Sequence, residues 1–205
     1  MSLTIVDFNN FWSPSGGGVR RYHLEKMNFY RYETDAVYVF VMPDSRTYTE
    51  QLTDSLIIEH VKAFKFPGKW EYRMLWKSSQ IAPILKRHKP DIIEVGSPYI
   101  LPTVVRKNAK KIVPRAKLLG FWHADFPITY VERPIAEKFG KKLGKLASQV
   151  AFAYARYEFK GFTGIQVSAE ETRLRLKRKG LPAHHQVPLG CDLSMFSPTK
   201  RDENL

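Results

Sequence analysis

Short apolar, β-branched runs alternate along this chain with longer stretches of helical periodicity, and that alternation limits the fold more than any single motif does. Leu3 to Val6, Ala36 to Met42 (AVYVFVM), Leu56 to Ala63 (LIIEHVKA), Asp91 to Val95 (DIIEV), Leu118 to Trp122 (LLGFW) and Gly164 to Val167 read as strands. Between them, Val19 to Tyr30 places Val19, Tyr22, His23, Lys26 and Met27 at helical spacing. Glu71 to His88, a segment from about Tyr99, Ile128 to Phe139 and Leu143 to Lys160 read as further helices. Pro83 is expected to kink or split the first of these. Ser168 is expected to cap a last helix, with Glu170 and Glu171 in its first turn and Gly180 at its end. Strands alternating with helices call for a mainly parallel sheet covered on both faces, joined by right-handed crossovers. The expected fold is therefore an α/β, Rossmann-like doubly wound sheet, formed as one domain. Its ligands should bind beyond the carboxyl ends of the strands.

Three separated stretches emerge at that edge. The first is the loop in Asp7 to Tyr22 (DFNNFWSPSGGGVRRY), where Gly16, Gly17 and Gly18 leave the backbone open to a ligand and introduce a helix N-terminus that attracts anions. It is not a standard nucleotide fingerprint: Arg21 stands where G-x-G-x-x-G needs its third glycine, and the Lys-Ser/Thr pair of a Walker loop is absent. A glycine-rich turn without a ligand explains the same residues. The second stretch is Gly96-Ser97-Pro98. The third is His123 to Pro127, on a loop directly after a strand. There His123 can donate to a sugar hydroxyl or stabilise charge on a phosphate, and Asp125 can orient it or take a proton. The plainer reading has His123 ending a strand and Asp125 starting the next helix.

Composition narrows the partners. No apolar run approaches the roughly 20 residues of a membrane span, and the N-terminus lacks a signal-peptide layout, so the expected location is cytosolic or peripheral on a membrane. The single cysteine, Cys191, excludes an internal disulfide and a multi-cysteine metal site. The histidines are scattered, and His184-His185 lacks further ligands at metal spacing, so no bound metal and no cofactor are expected. No G-x-S-x-G elbow occurs, which argues against a serine hydrolase of that type. Lys and Arg number 33 against 20 Asp and Glu, a net charge of +13 that favours anionic partners. Basic residues cluster at Arg106 to Lys117, Lys138 to Lys145 and Arg173 to Lys179. The second cluster stands beside Phe139, Leu143 and Leu146, which suits an anionic membrane surface, while a solvated helix face accounts for it equally. No nucleic-acid-reading motif occurs, and nucleic acid is not an expected partner.

The ordered set GGGVRRY, FPGKWEYRM, KPDIIEVGSP, FWHADFP, VSAEETRLRLKRKGL and VPLGCDLSMFSP resembles the N-terminal half of family 4 retaining glycosyltransferases with the GT-B fold. FPGKWEYR and WHADFP are most similar to the branch with diacylglycerol glycosyltransferases, sulfolipid synthases and lipid-directed mannosyltransferases. The resemblance implies a nucleotide-sugar donor and a lipid or saccharide acceptor, the latter held on this domain. It implies Gly17, Gly18 and Arg20 or Arg21 at the donor diphosphate, His123 beside the transferred sugar, and Asp125, Ser97 and Tyr99 along the same edge, the last two on the acceptor side. It further implies an acceptor-side domain over residues 1–187 and the start of an interdomain linker over 188–205, where Gly190-Cys191-Asp192 replaces the usual Gly-Val-Asp. The family's second, donor-binding domain is not within these residues. This chain alone is thus expected to be inactive, to expose an apolar patch, and to pair with itself or with a donor-domain subunit.

Overall fold

A computed structural model describes residues 2–12, 17–65, 72–183 and 185–190. The strands are β1 (Thr4–Phe8), β2 (Val37–Asp44), β3 (Tyr48–Gln51), β4 (Leu56–Lys62), the two-residue β5 (Phe64–Lys65) and β6 (Arg73–Met74), then β7 (Ile92–Val95), β8 (Lys117–Trp122), β9 (Gly164–Val167) and β10 (His185–Gln186). Eight of them form one sheet in the order β10-β9-β8-β7-β1-β2-β4-β3, while β5 and β6 pair separately. Every pairing in the large sheet is parallel except β3 with β4. This is the expected Rossmann-like α/β architecture, with an antiparallel strand added at one edge.

The two-residue period of the strands divides the core between the faces. Ile5, Tyr38, Phe40 and Leu56 point to one side and pack against Met27 and Leu24 of α1 (Gly18–Tyr32). Val6, Phe8, Val39, Val41, Ile93 and Val95 point to the other. That second face is covered by α2 (Ser78–His88), α3 (Leu101–Ile112) and α5 (Lys141–Glu158), which contribute Ile81 and Leu85, Leu101 and Val105, and Phe152 and Ala155. A π-helical turn, Pro127–Glu132, leads from β8 into α4 (Arg133–Phe139), and α6 (Glu170–Arg178) follows β9. Gly144 lets α5 lie close on the preceding hairpin, since a Cβ there would meet the Ala136 Cβ and the Glu132 carbonyl at 2.7 Å each.

Several local expectations are corrected. The helix expected from Glu71 begins at Ser78, because Gln80 Oε1 accepts the Trp76 and Lys77 N–H groups at 3.0 and 2.9 Å and fixes the start there. Pro83 stays within α2 without splitting it, and its ring lies on the exposed side. Ser168 does not cap α6: Ala169 occupies that position, with no side-chain bond to the helix. Strand order reverses at β1, which lies between β2 and β7, and this places a crevice beyond the carboxyl ends of β1 and β7.

Candidate functional site

The floor of that crevice is a buried set of charges generated by strand register. Asp7 of β1 pairs with Glu94 of β7, and both side chains point to the α1 face because their neighbours Val6, Phe8, Ile93 and Val95 point away. Two carboxylates side by side in a sheet interior repel one another. Lys26 of α1 lies between them, 2.8 Å from Asp7 Oδ2 and hydrogen-bonded to Glu94. The Tyr38 hydroxyl also donates to Asp7, at 2.7 Å. Burial alone would raise the Asp7 carboxyl, but Lys26, His23 and these hydrogen bonds hold it below the usual range.

Above the charges, two consecutive asparagines lead the chain out of β1. Asn9 is fully buried, its Oδ1 accepting the Phe11 N–H at 2.7 Å while its Nδ2–H donates to His23 Nε2. Asn10 makes a two-way bond with the backbone of Leu75, donating to its carbonyl at 3.3 Å and accepting its N–H at 2.9 Å. The segment before α2 is thereby tied to the end of β1.

His123 follows β8 and is flanked by Phe121 and Tyr22, with ring centroids 4.1 and 5.4 Å away. Its Nε2 is enclosed, with no hydrogen-bond partner among the described residues. Gly96 makes the arrangement possible: a Cβ there would stand 2.7 Å from Asn9 Nδ2 and 3.0 Å from His123 Nε2. Burial lowers the His123 imidazole to about 3, with the neighbouring His23 pushing the same way. At neutral pH it is therefore an uncharged ring that can exchange hydrogen bonds with a hydroxyl rather than a fixed cation.

The other sequence candidates divide around this centre. Gly17 and Gly18 open α1, with no side-chain cap and nothing within 4 Å of a Cβ built at either one. Gly17 also adopts φ −74 and ψ −121, outside the regions open to other residues, and no described residue closes the backbone there to a ligand. Arg21 lies on the solvent side of α1, paired with Glu25 at 2.7 Å, whereas Arg20 is half-buried over the Trp12 ring. Ser97 is buried directly after Gly96. Asp125 turns from His123 to Arg175 of α6, which donates to its Oδ2 and also holds Glu171 at 2.8 Å. Burial raises the Asp125 carboxyl despite Arg175. Gly16, residues 66–71, His184 and Cys191 with the stretch to 205 lie outside the described residues.

Tyr99 belongs to a different surface. With Asn10, Phe11, Phe126 and Tyr154 it lines an apolar groove of about 920 Å³ that runs out along Leu143, Leu146 and Val150 of α5. The groove begins where the β1 and β7 loops form the crevice. Its outer wall is a helical stripe of large apolar side chains left exposed to solvent. Lys138, Lys141, Lys142 and Lys145 accompany that stripe in sequence.

Sequence reasoning missed Asn9, Asn10, His23, Lys26 and Glu94 as parts of this site. A signal was present for two of them: His23 and Lys26 interrupt an otherwise apolar stripe of α1, which is where a polar side chain facing the sheet must find a buried partner.

Among the described residues no helix is long and apolar enough to cross a membrane, and no three His, Cys, Asp or Glu side chains gather as a metal site. Comparison with curated proteins finds no match. The family model for Glycosyltransferase Family 4 matches residues 16–195, from the glycine loop past the last strand. A match over most of the chain, on the doubly wound sheet that such a domain requires, shows that the protein belongs to glycosyltransferase family 4.

Proposed function

We propose that this chain is the acceptor-side domain of a transferase that moves a sugar, with retention, from a nucleotide-diphosphate donor to an acceptor bearing an apolar tail. The observation that carries the reading is the groove of about 920 Å³, apolar along its length, with Asn10 and Tyr99 from the loops after β1 and β7 in its lining. A tail lying there would bring a polar head towards His123. Each buried methylene contributes about 0.8 kcal/mol, so a short alkyl chain suffices to select tailed acceptors over free sugars. Retention rests on the resemblance to the retaining lipid-directed branch.

The chain's own residues supply distinct parts of the chemistry. The N–H groups at the start of α1, uncapped by any described side chain, with Gly17 and Gly18 leaving space for close approach, would take the leaving diphosphate, and Arg20 or Arg21 would add positive charge. His123, neutral and packed against Phe121 and Tyr22, would fix the sugar by hydrogen bonding. Asp125 would act on the rim through Arg175 rather than as a partner to the imidazole. The other domain of a GT-B enzyme would hold the nucleotide, and no protein-bound metal is needed for this scheme.

The Lys138 to Lys145 cluster beside exposed Leu143 and Leu146 favours a second reading, in which the chain binds an anionic lipid surface without catalysing transfer. One experiment separates the two. The full gene product is given nucleotide sugars and one polar acceptor with and without an alkyl tail. Transfer to the tailed acceptor with the donor's anomeric configuration kept supports the proposal. Transfer with equal efficiency to the untailed acceptor, or none to either while the chain still binds anionic vesicles, contradicts it.

A further inference from the structure

His23 is a buried imidazole on the core-facing stripe of α1, 1% exposed, where a leucine would fill similar space without a polar group to satisfy. Its surroundings give it a defined job. The Asn9 carboxamide is oriented by the Phe11 N–H, which donates to Oδ1, so the group facing His23 is the Nδ2 donor. His23 Nε2 must therefore accept, and the proton of the neutral ring resides on Nδ1. That atom lies 3.5 Å from Asp7 Oδ2, within electrostatic range but long for a hydrogen bond. Asp7 is in turn fixed by Lys26 and Tyr38. The hydrogen-bonded link thus runs from His23 to the Asn9 amide, while Nδ1 has no hydrogen-bond partner among the described residues and Asp7 acts on it through charge alone.

The link ends at His123. Asn9 Nδ2 and His123 Nε2 share the space left beside Gly96, at 2.7 and 3.0 Å from where a Cβ would stand. The His23 and His123 rings are 5.9 Å apart, between centroids, on the same side. We propose that His23 is a positioning residue for His123: it holds the Asn9 carboxamide against Gly96, and this amide forms the floor on which the His123 ring rests. The inference rests on the proposed role of His123 beside the transferred sugar. It adds that the required feature of His23 is a hydrogen-bond acceptor aimed at Asn9, not its volume or a charge.

Two substitutions and a spectrum test this. His23→Leu fills the space but leaves the Asn9 N–H buried without an acceptor, while His23→Gln presents an oxygen to it. In the full gene product, His23→Leu is expected to lower kcat by about tenfold or more with donor KM little changed, a loss typical of misplaced catalytic groups. His23→Gln is expected to restore most of it, and the loss in His23→Leu is expected to persist at temperatures well below its own melting transition. Equal kcat in the two variants, or losses that follow melting temperature alone, would overturn the proposal. If His23→Leu does not fold, proton–nitrogen correlation spectra of the histidine side chains in the unmodified chain decide between the tautomers: Nδ1–H at His23 is expected, and Nε2–H contradicts the relay. His123→Ala is the control for the underlying reading. Full activity in that variant removes the role of His123 itself, and the positioning role with it. Activity lost in His123→Ala but intact in His23→Leu removes the relay only.

Discussion

Asp7 and Glu94 stand opposite one another in register on β1 and β7, and one ammonium group, that of Lys26, serves both carboxylates beneath the crevice. The pair of strands that creates the ligand crevice thus also carries a repulsive charge pair, and α1 docks by neutralising it. The helix whose N-terminus faces the crevice is held in place by this contact as well as by Met27 and Leu24.

Replacing Lys26 with Met should therefore destabilise the chain severely, because it leaves the buried Asp7 carboxylate beside the partly buried Glu94 carboxylate without a counter-charge. Removing one partner of a buried ion pair costs about 3–5 kcal/mol. Urea denaturation of Lys26→Met is expected to show a loss in that range, while Glu94→Gln with Lys26 intact should lose clearly less, since Asp7 still pairs with the lysine.

Stability should fall with acid in a window set by two histidines. Burial depresses His23 to about 4 and His123 to about 3, from an ordinary value of 6.5. Between those values the unfolded chain binds more protons than the folded one, so stability is full above pH 6.5 and declines as pH falls towards 4. The slope is about 1.4 kcal/mol per pH unit for each histidine. Asp7, held low, adds to the loss at the acid end of that range. Melting temperature measured from pH 7 to pH 4 should drop steadily, and His23→Gln should flatten the profile by one histidine's share.

Ile100 has φ +56 and ψ −42, a conformation that a β-branched residue adopts only under constraint. Its N–H donates to the Tyr154 hydroxyl at 3.0 Å, and Glu158 accepts the Thr103 N–H at 3.1 Å, so α5 pins the loop from both sides. Ile100→Gly should relieve the strain and raise stability by about 1 kcal/mol, whereas Tyr154→Phe should lower it. Thermal unfolding of both variants checks the pair.

Much of this fold was legible because the strands it depends on are buried on both faces. AVYVFVM, DIIEV and LLGFW announce themselves as apolar runs whatever their partners. Strand β3 was not legible: Tyr48 to Gln51 is exposed throughout and exists through its ladder with β4. The start of α2 depends on the Gln80 cap, which periodicity does not register, and the π-helical turn after Phe126 has no capping side chain to announce it. Gly96, Ser97 and His123 were legible as loop residues at the ligand edge. The buried partners beneath them were not, since Asp7 meets Lys26 and Glu94 only through helix docking and strand register. Leu143 and Leu146 were visible beside lysines, but the groove they border needs Phe11, Tyr99 and Phe126 from three distant loops.

The most direct measurement is the affinity of this chain for a series of alkyl glycosides of increasing tail length, by titration calorimetry below their micelle concentrations. Tails entering the groove should raise affinity about fourfold per added methylene until the groove is filled. Ala147→Trp, which places an indole in the groove, should abolish the dependence. Affinity that does not change with tail length, or that rises equally in Ala147→Trp, would contradict an acceptor site built on this groove.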